Sequence, residues 1–162
     1  MLPSCLKDYK PFRFFDMDEA ICMAAICEQI IPADNFGPGA TEAGVIYYID
    51  KQLDEIFTWD RDTYRNGLIA IQESSNELHG KNFEELDFDE QTRFLENMES
   101  GTIPGNYWEN NSAGDLFSLM IRHCMQGFYG PPRHGGNKNY ISYRLLNLEY
   151  PYIVGQNRYR NN

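Results

Sequence analysis

From Glu28 to Ala40 the chain reads Glu28-Gln29-Ile30-Ile31-Pro32-Ala33-Asp34-Asn35-Phe36-Gly37-Pro38-Gly39-Ala40, a rigid polar elbow between two apolar helical patterns. Pro32 has no N–H and its ring clashes with the preceding turn, so a first helix stops near Ile30 and Ile31 is pushed toward extended backbone. Asp34 and Asn35 carry short acceptors that fold back onto nearby backbone N–H groups. Gly37 and Gly39 admit backbone angles closed to other residues, and Pro38 pins the angle between them. The expected product is a stiff loop. Two uses are open to it: a plain helix-to-helix connector, or a rigid surface that receives another chain.

The rest of the chain reads as helices. Asp16 with Glu19 makes a capping-box start, and Ile21, Ala24, Ala25, Cys27 and Ile31 follow at broadly helical spacing, which predicts a helix over 16–31. After the elbow, Ala40 or Thr41 opens a second helix in which Val45, Ile46, Ile49, Leu53, Ile56 and Phe57 form one stripe while Asp50, Asp54 and Glu55 face water. A third helix begins at Asp60 or Asp62 and stops at Gly80. A fourth is capped by Asp87, with Glu90 in the third position and Gly101 beyond its end. Thr102 to Asn111 reads as loop, with Tyr107 and Trp108 as a satellite cluster beneath it. A fifth, strongly apolar helix runs from Ser112 to Gly127 and belongs at the centre of the bundle. The fold class expected is all-α, a single-domain helical bundle of about five helices with long ordered loops: an N-terminal extension over 1–15, the helical domain over 16–150 and a tail over 151–162.

Composition supports a folded domain and removes several functions. At 162 residues the chain is long enough to bury roughly two-thirds of the surface it exposes when unfolded. Its 42% hydrophobic content, with ten Phe and eleven Tyr, argues against disorder. No apolar run is long enough to span a bilayer as a helix. A formal charge of −10 repels polyphosphate, which disfavours nucleic acid and anionic membrane as partners, and the acidic residues are read as solvated helix faces.

No reactive constellation stands out. Cys22 and Cys27 are about 140° apart on a helix, which disfavours a shared bond or metal, so buried free thiols are expected. His79, His123 and His134 are not at zinc-like spacing from Cys5, Cys22, Cys27, Cys124 or one another. His123 and Cys124 are sequence neighbours and diverge on a helix surface, which argues against a Cys–His catalytic pair. Catalytic, cofactor-binding and metal-binding residues are therefore all expected to be absent.

The second distinctive segment is Gly127-Phe128-Tyr129-Gly130-Pro131-Pro132-Arg133-His134-Gly135-Gly136-Asn137-Lys138. Gly135 and Gly136 permit a tight turn or close approach by another backbone, and Asn137 can hydrogen-bond the loop internally. A phosphate-cradling role is disfavoured because a helix, not a strand, precedes the glycines, and no Gly-x-Gly-x-x-Gly occurs.

These two segments, each leaving an apolar helix, resemble the signatures of the small subunit (subunit 3) family of flavin-dependent gluconate 2-dehydrogenase, met also in fructose, glucose and glucoside dehydrogenase complexes. The resemblance covers about residues 12 to 150 and extends to Phe83-Glu84-Glu85-Leu86, Gln91, Leu95 and Glu99-Ser100-Gly101 in the middle region and to the short helix matched by Tyr143-Arg144-Leu145-Leu146. Two positions depart from the family pattern. His134 stands where tyrosine is common, and Tyr150-Pro151-Tyr152 replaces the usual Phe-Pro-Gly close.

What the resemblance implies is an accessory subunit with no flavin, haem or metal of its own. It binds and stabilises a large FAD-dependent catalytic subunit that oxidises a sugar or glucoside, with a cytochrome c as a further candidate partner. Family members usually begin with a twin-arginine export signal and accompany the catalytic subunit to the periplasm. No twin arginine stands here, and Leu2-Pro3-Ser4-Cys5 resembles the tail of a lipoprotein cleavage box, which would make Cys5 an anchor. A periplasmic, partner- or lipid-anchored location is the expectation. The candidate interface residues are Pro32, Asp34, Phe36, Gly37, Pro38 and Gly39 in the elbow, with Phe128, Tyr129, Arg133, His134, Gly135, Gly136 and Asn137 in the second segment. Two other readings stay open: a free-standing helical adaptor, and a small enzyme using His134 or His123.

Overall fold

The structure, a computed structural model, describes residues 12–109 and 112–148. Among them are seven α-helices and no strand: α1 (Met17–Ile30), α2 (Ala40–Ala43), α3 (Val45–Glu55), α4 (Arg61–His79), α5 (Phe88–Glu99), α6 (Ala113–Tyr129) and α7 (Ile141–Leu145). The tail over 151–162 and the Leu2-Pro3-Ser4-Cys5 segment lie outside the described residues.

Local chemistry sets most helix ends. Asp16 accepts from the backbone N–H of Glu19 while the Glu19 side chain accepts from Asp16, and Asp87 and Glu90 repeat the arrangement at α5. Ser112 caps α6 through the N–H of Asp115. Gly80 closes α4 at φ +67. Trp108 donates from Nε1 to the Ser74 hydroxyl at 3.0 Å, which seats the long loop on α4.

Two elements differ from the sequence reading. The second helix is not continuous from Ala40 to Phe57: Gly44 adopts φ +69, ψ +33, ending α2 and redirecting the chain into α3. Glycine takes that left-handed conformation without a Cβ penalty, and the apolar periodicity on either side continues smoothly, so it carries no mark of the break. The central helix α6 also runs two residues beyond Gly127, because Gly127 sits inside the helix where α3 approaches it. A Cβ at Gly127 would stand 3.0 Å from the Tyr48 ring.

The core is one cluster. Ala20, Met23 and Ile26 of α1, Val45, Ile49 and Leu53 of α3, Tyr64 and Ile71 of α4, Phe94 and Met98 of α5, and Leu116 and Met120 of α6 are all buried in it. Residues 12–15, assigned above to an extension, join this core through Phe15, with Phe12 and Phe14 packed against it.

Asp50 corrects a further expectation. It does not face water with Asp54 and Glu55 but is buried. Its carboxylate accepts three backbone N–H groups, from Arg13 at 2.8 Å, Phe14 at 2.9 Å and Phe15 at 3.0 Å. These donors belong to a bent lead-in with no helix or sheet partner, and a buried N–H without a partner is costly. Arg65 closes the clasp from the other side, with its guanidinium 4.5 Å over the Phe14 ring and one N–H 2.6 Å from the Phe14 carbonyl.

Replacing Asp50 by alanine leaves one buried and two part-buried backbone donors without their acceptor and is expected to destabilise the protein by about 3 kcal/mol. Urea unfolding monitored by circular dichroism measures this. An equal loss for Asp54→Ala would contradict the assignment.

Candidate docking face

The elbow and the second glycine-rich segment, far apart in sequence, come together at one end of the bundle. Glu28, on the last turn of α1, accepts from the N–H of Ala33 at 2.9 Å through Oε1. Through Oε2 it accepts from the N–H of Thr41 at 2.9 Å and from the Thr41 hydroxyl at 2.6 Å. One carboxylate thereby ties both legs of the elbow to the helix preceding it. The Ala40 N–H donates to the Ile31 carbonyl at 2.8 Å, closing the waist. Gly39 fits there because a Cβ would lie 2.4 Å from the Ala33 nitrogen.

Within the elbow, Asp34 shapes the tip. Its carboxylate accepts from Phe36 N–H at 2.8 Å and Gly37 N–H at 3.1 Å, while its own N–H donates to the Gly37 carbonyl at 3.0 Å. The Phe36 ring is left 91% exposed, with no ring contact among the described residues. Sequence reasoning named the tip but missed its brace. A carboxylate one turn before a helix-ending proline, with Thr nine residues beyond that proline, was the available signal.

The second segment is built by close backbone approach. Gly136 lies so near α6 that a Cβ would stand 2.1 Å from the Gly127 carbonyl oxygen. Gly135, at φ +113, is seated against the Tyr47–Tyr48 backbone of α3. Asn137 is fully buried with φ +47; its side chain donates to the Gly130 carbonyl at 2.9 Å and accepts from Ser142 N–H at 3.0 Å, opening α7. Their flanks then meet: Gly37 of the elbow packs on the Leu145 side chain of α7, and Gly44, four residues past the elbow, lies beside Gly135 and Lys138. Gly44 and Tyr47 at the start of α3, with Pro132, Gly135 and Lys138 of the second segment, line a depression of about 340 Å³.

The candidate interface residues divide by burial. Pro32, Asp34, Phe36, Tyr129, Arg133 and Gly135 are exposed, and Gly37, Pro38 and His134 are half-buried. Gly39, Phe128, Gly136 and Asn137 are buried and hold the loops in place from inside. Leu145, Leu146 and Leu148, absent from the sequence-derived set, are exposed, and Leu145 packs against the elbow at Gly37. Acidic Glu28, Asp34 and Glu42 accept backbone N–H groups of the elbow, and Arg133, Lys138 and Arg144 are exposed.

His123 is arranged for packing. His123 is buried, its ring stacked on Phe57 at 4.8 Å and on Tyr64 at 5.8 Å, with Nδ1 2.9 Å from the Tyr64 hydroxyl. Burial, with Arg122 adding, lowers its pKa to about 4, and burial raises that of Tyr64 well above the ordinary value. Tyr64 therefore donates to a neutral imidazole, and neither ring face is open to a substrate. Nε2 is 3.9 Å from Asp60, too long for a hydrogen bond. His134 accepts from Arg133 Nε at 3.0 Å on the surface. Among the described residues no three His, Cys, Asp or Glu side chains converge on a metal-sized site, and no helix is long and apolar enough to cross a membrane.

The family model for gluconate 2-dehydrogenase subunit 3 matches residues 17–149, from the first helical residue through the second segment and α7. The chain belongs to the gluconate 2-dehydrogenase subunit 3 family. No curated protein and no solved structure matches it. The family is that of a non-catalytic subunit, so this member is an accessory subunit of a multisubunit dehydrogenase complex. The matched span takes in both loops described above.

Two outcomes follow for this subunit. Gly136→Ala and Asn137→Ala should each destabilise the fold by about 2 kcal/mol, through overpacking against α6 and through lost buried hydrogen bonds respectively. Phe36→Ala should change stability by less than about 0.5 kcal/mol, since the ring touches little. Thermal melts of the three variants measure the contrast. His123 binds its proton near pH 6.5 when unfolded but only near 4 when folded. Stability is thus full above pH 6.5 and falls by about 3 kcal/mol as pH drops toward 4. Denaturant unfolding across that range should show a shallower loss for His123→Gln, and an unchanged slope would rule the linkage out.

Proposed function

We propose that the elbow tip, with Phe36 at its apex and the α7 leucines beside it, docks a larger FAD-dependent catalytic subunit of a sugar or glucoside dehydrogenase. The observation that carries this is the exposure of Phe36 on a loop whose backbone is fixed by Glu28, Asp34 and the Gly37–Leu145 contact. An aromatic side chain held rigidly in water gains most when a partner desolvates it, and little ordering entropy remains to oppose that gain. Family membership supplies the class of partner, a dehydrogenase subunit.

On this reading the flavin of the partner accepts the hydride, and the small subunit contributes stability and a permanent interface, expected to bury more than roughly 2,000 Å² in total. Electrons pass onward to an acceptor such as a cytochrome c. The complex works in the periplasm, and the small subunit accompanies its partner there.

The test is purification of the native assembly. A larger polypeptide with flavin absorbance should co-elute, and dye-linked sugar oxidation should appear in that fraction alone. Phe36→Glu should bind the flavoprotein roughly a hundredfold more weakly, about 3 kcal/mol, with an unchanged circular dichroism spectrum. Sugar turnover by the isolated small subunit, or undiminished assembly by the Phe36→Glu chain, would refute the reading.

A further inference from the structure

Cys27 lies on the last turns of α1 and Cys124 on the last turns of α6, and their sulfur atoms are 3.4 Å apart across the buried contact between these helices. Cys27 is 2% exposed and Cys124 not at all. Cys22, five residues before Cys27, is buried about 140° away around α1. Only one described pair of sulfurs is therefore adjacent, and it joins two residues that are 97 positions apart in the chain. A disulfide holds its sulfurs at about 2.05 Å. The closing movement between the two sulfurs is on the order of 1.4 Å.

We propose that Cys27 and Cys124 are a latent disulfide that closes when the chain folds in contact with an oxidising thiol–disulfide couple. The oxidant is an external disulfide, that of a dithiol oxidoreductase in a cell or oxidised glutathione in solution. One cysteine thiolate attacks it, forming a mixed disulfide and releasing one reagent thiol. The second cysteine then attacks the protein sulfur of that mixed disulfide and releases the other reagent thiol. In sum two thiol protons and two electrons pass to the reagent, one sulfur–sulfur bond breaks in it and one forms in the protein.

The folding chain is the substrate for this exchange. In the finished fold neither sulfur is reachable, and burial, with Cys124 alongside, holds the Cys27 thiol well above its ordinary pKa, so its thiolate is scarce. Once closed, the bridge constrains a very long loop of the unfolded chain, the case in which cross-linking stabilises most. It also pins α1 to α6 just before each helix delivers its docking loop. The bridge does not depend on the docking reading, since it can close whether or not a flavoprotein binds.

The full chain, refolded from denaturant either with reduced glutathione alone or with a mixture of reduced and oxidised glutathione, tests this. After alkylation of free thiols, peptide mapping of the oxidatively refolded protein should recover a Cys27–Cys124 cross-link as the dominant species. The bridged protein should melt several degrees above the reduced one. A Cys5→Ser/Cys22→Ala variant should keep both the cross-link and the shift. Alkylated Cys27 and Cys124 after oxidative refolding, a dominant bond to Cys5 or Cys22, or a bridged form that melts no higher than the reduced one would overturn the proposal. The map is made on the unmutated chain, so the outcome does not hang on any variant folding.

Discussion

A chain made of helices leaves backbone N–H groups without partners at each helix start and along each connector, and in this protein carboxylates answer many of them. Asp16 and Asp87 cap α1 and α5. Asp34 forms the elbow tip, Glu28 ties both legs of the elbow to α1, and Asp50 gathers three donors of the lead-in. Each is a charge-assisted hydrogen bond, stronger than its neutral counterpart, and Asp50 is buried where an unpaired donor is most costly. The excess of acid in this chain is thus in part internal fastening rather than solvation alone.

The same fastening explains how a loop with an exposed aromatic can exist in a stable protein. A phenylalanine in a mobile loop would fold back onto the surface; here the backbone on either side is held by Asp34 and by the contact of Gly37 with Leu145. Glycines serve the complementary purpose. At Gly39 and Gly136 a side chain would collide with backbone, so the two segments can be laid against their helices only as glycine. A family signature that looks like a surface motif is therefore of mixed composition: some of its residues face outward, and others let those residues be where they are.

Most of the helices were legible because their signals are local. The Asp16/Glu19 and Asp87/Glu90 boxes, the Gly80 stop and the apolar repeat of α6 each act within a few residues, and the structure shows them acting so. Gly44 was not legible as a break, since a glycine between two helical stripes reads equally well as a tolerated helix residue. Asp50 was misread for a related reason. Its position on the helical wheel is that of a polar face, and only the lead-in over 13–15, brought across α3, turns that face inward.

Sequence alone determined the all-α class, the central place of α6 and the two loops, because capping, proline, glycine and periodicity are interactions between near neighbours. The tertiary structure decided which residues of those loops face outward, where Asp50 and Glu28 spend their charge, and that Cys27 meets Cys124. The Asp50 and Cys27 contacts join segments tens of residues apart, and their existence depends on how helices pack, which no local pattern encodes.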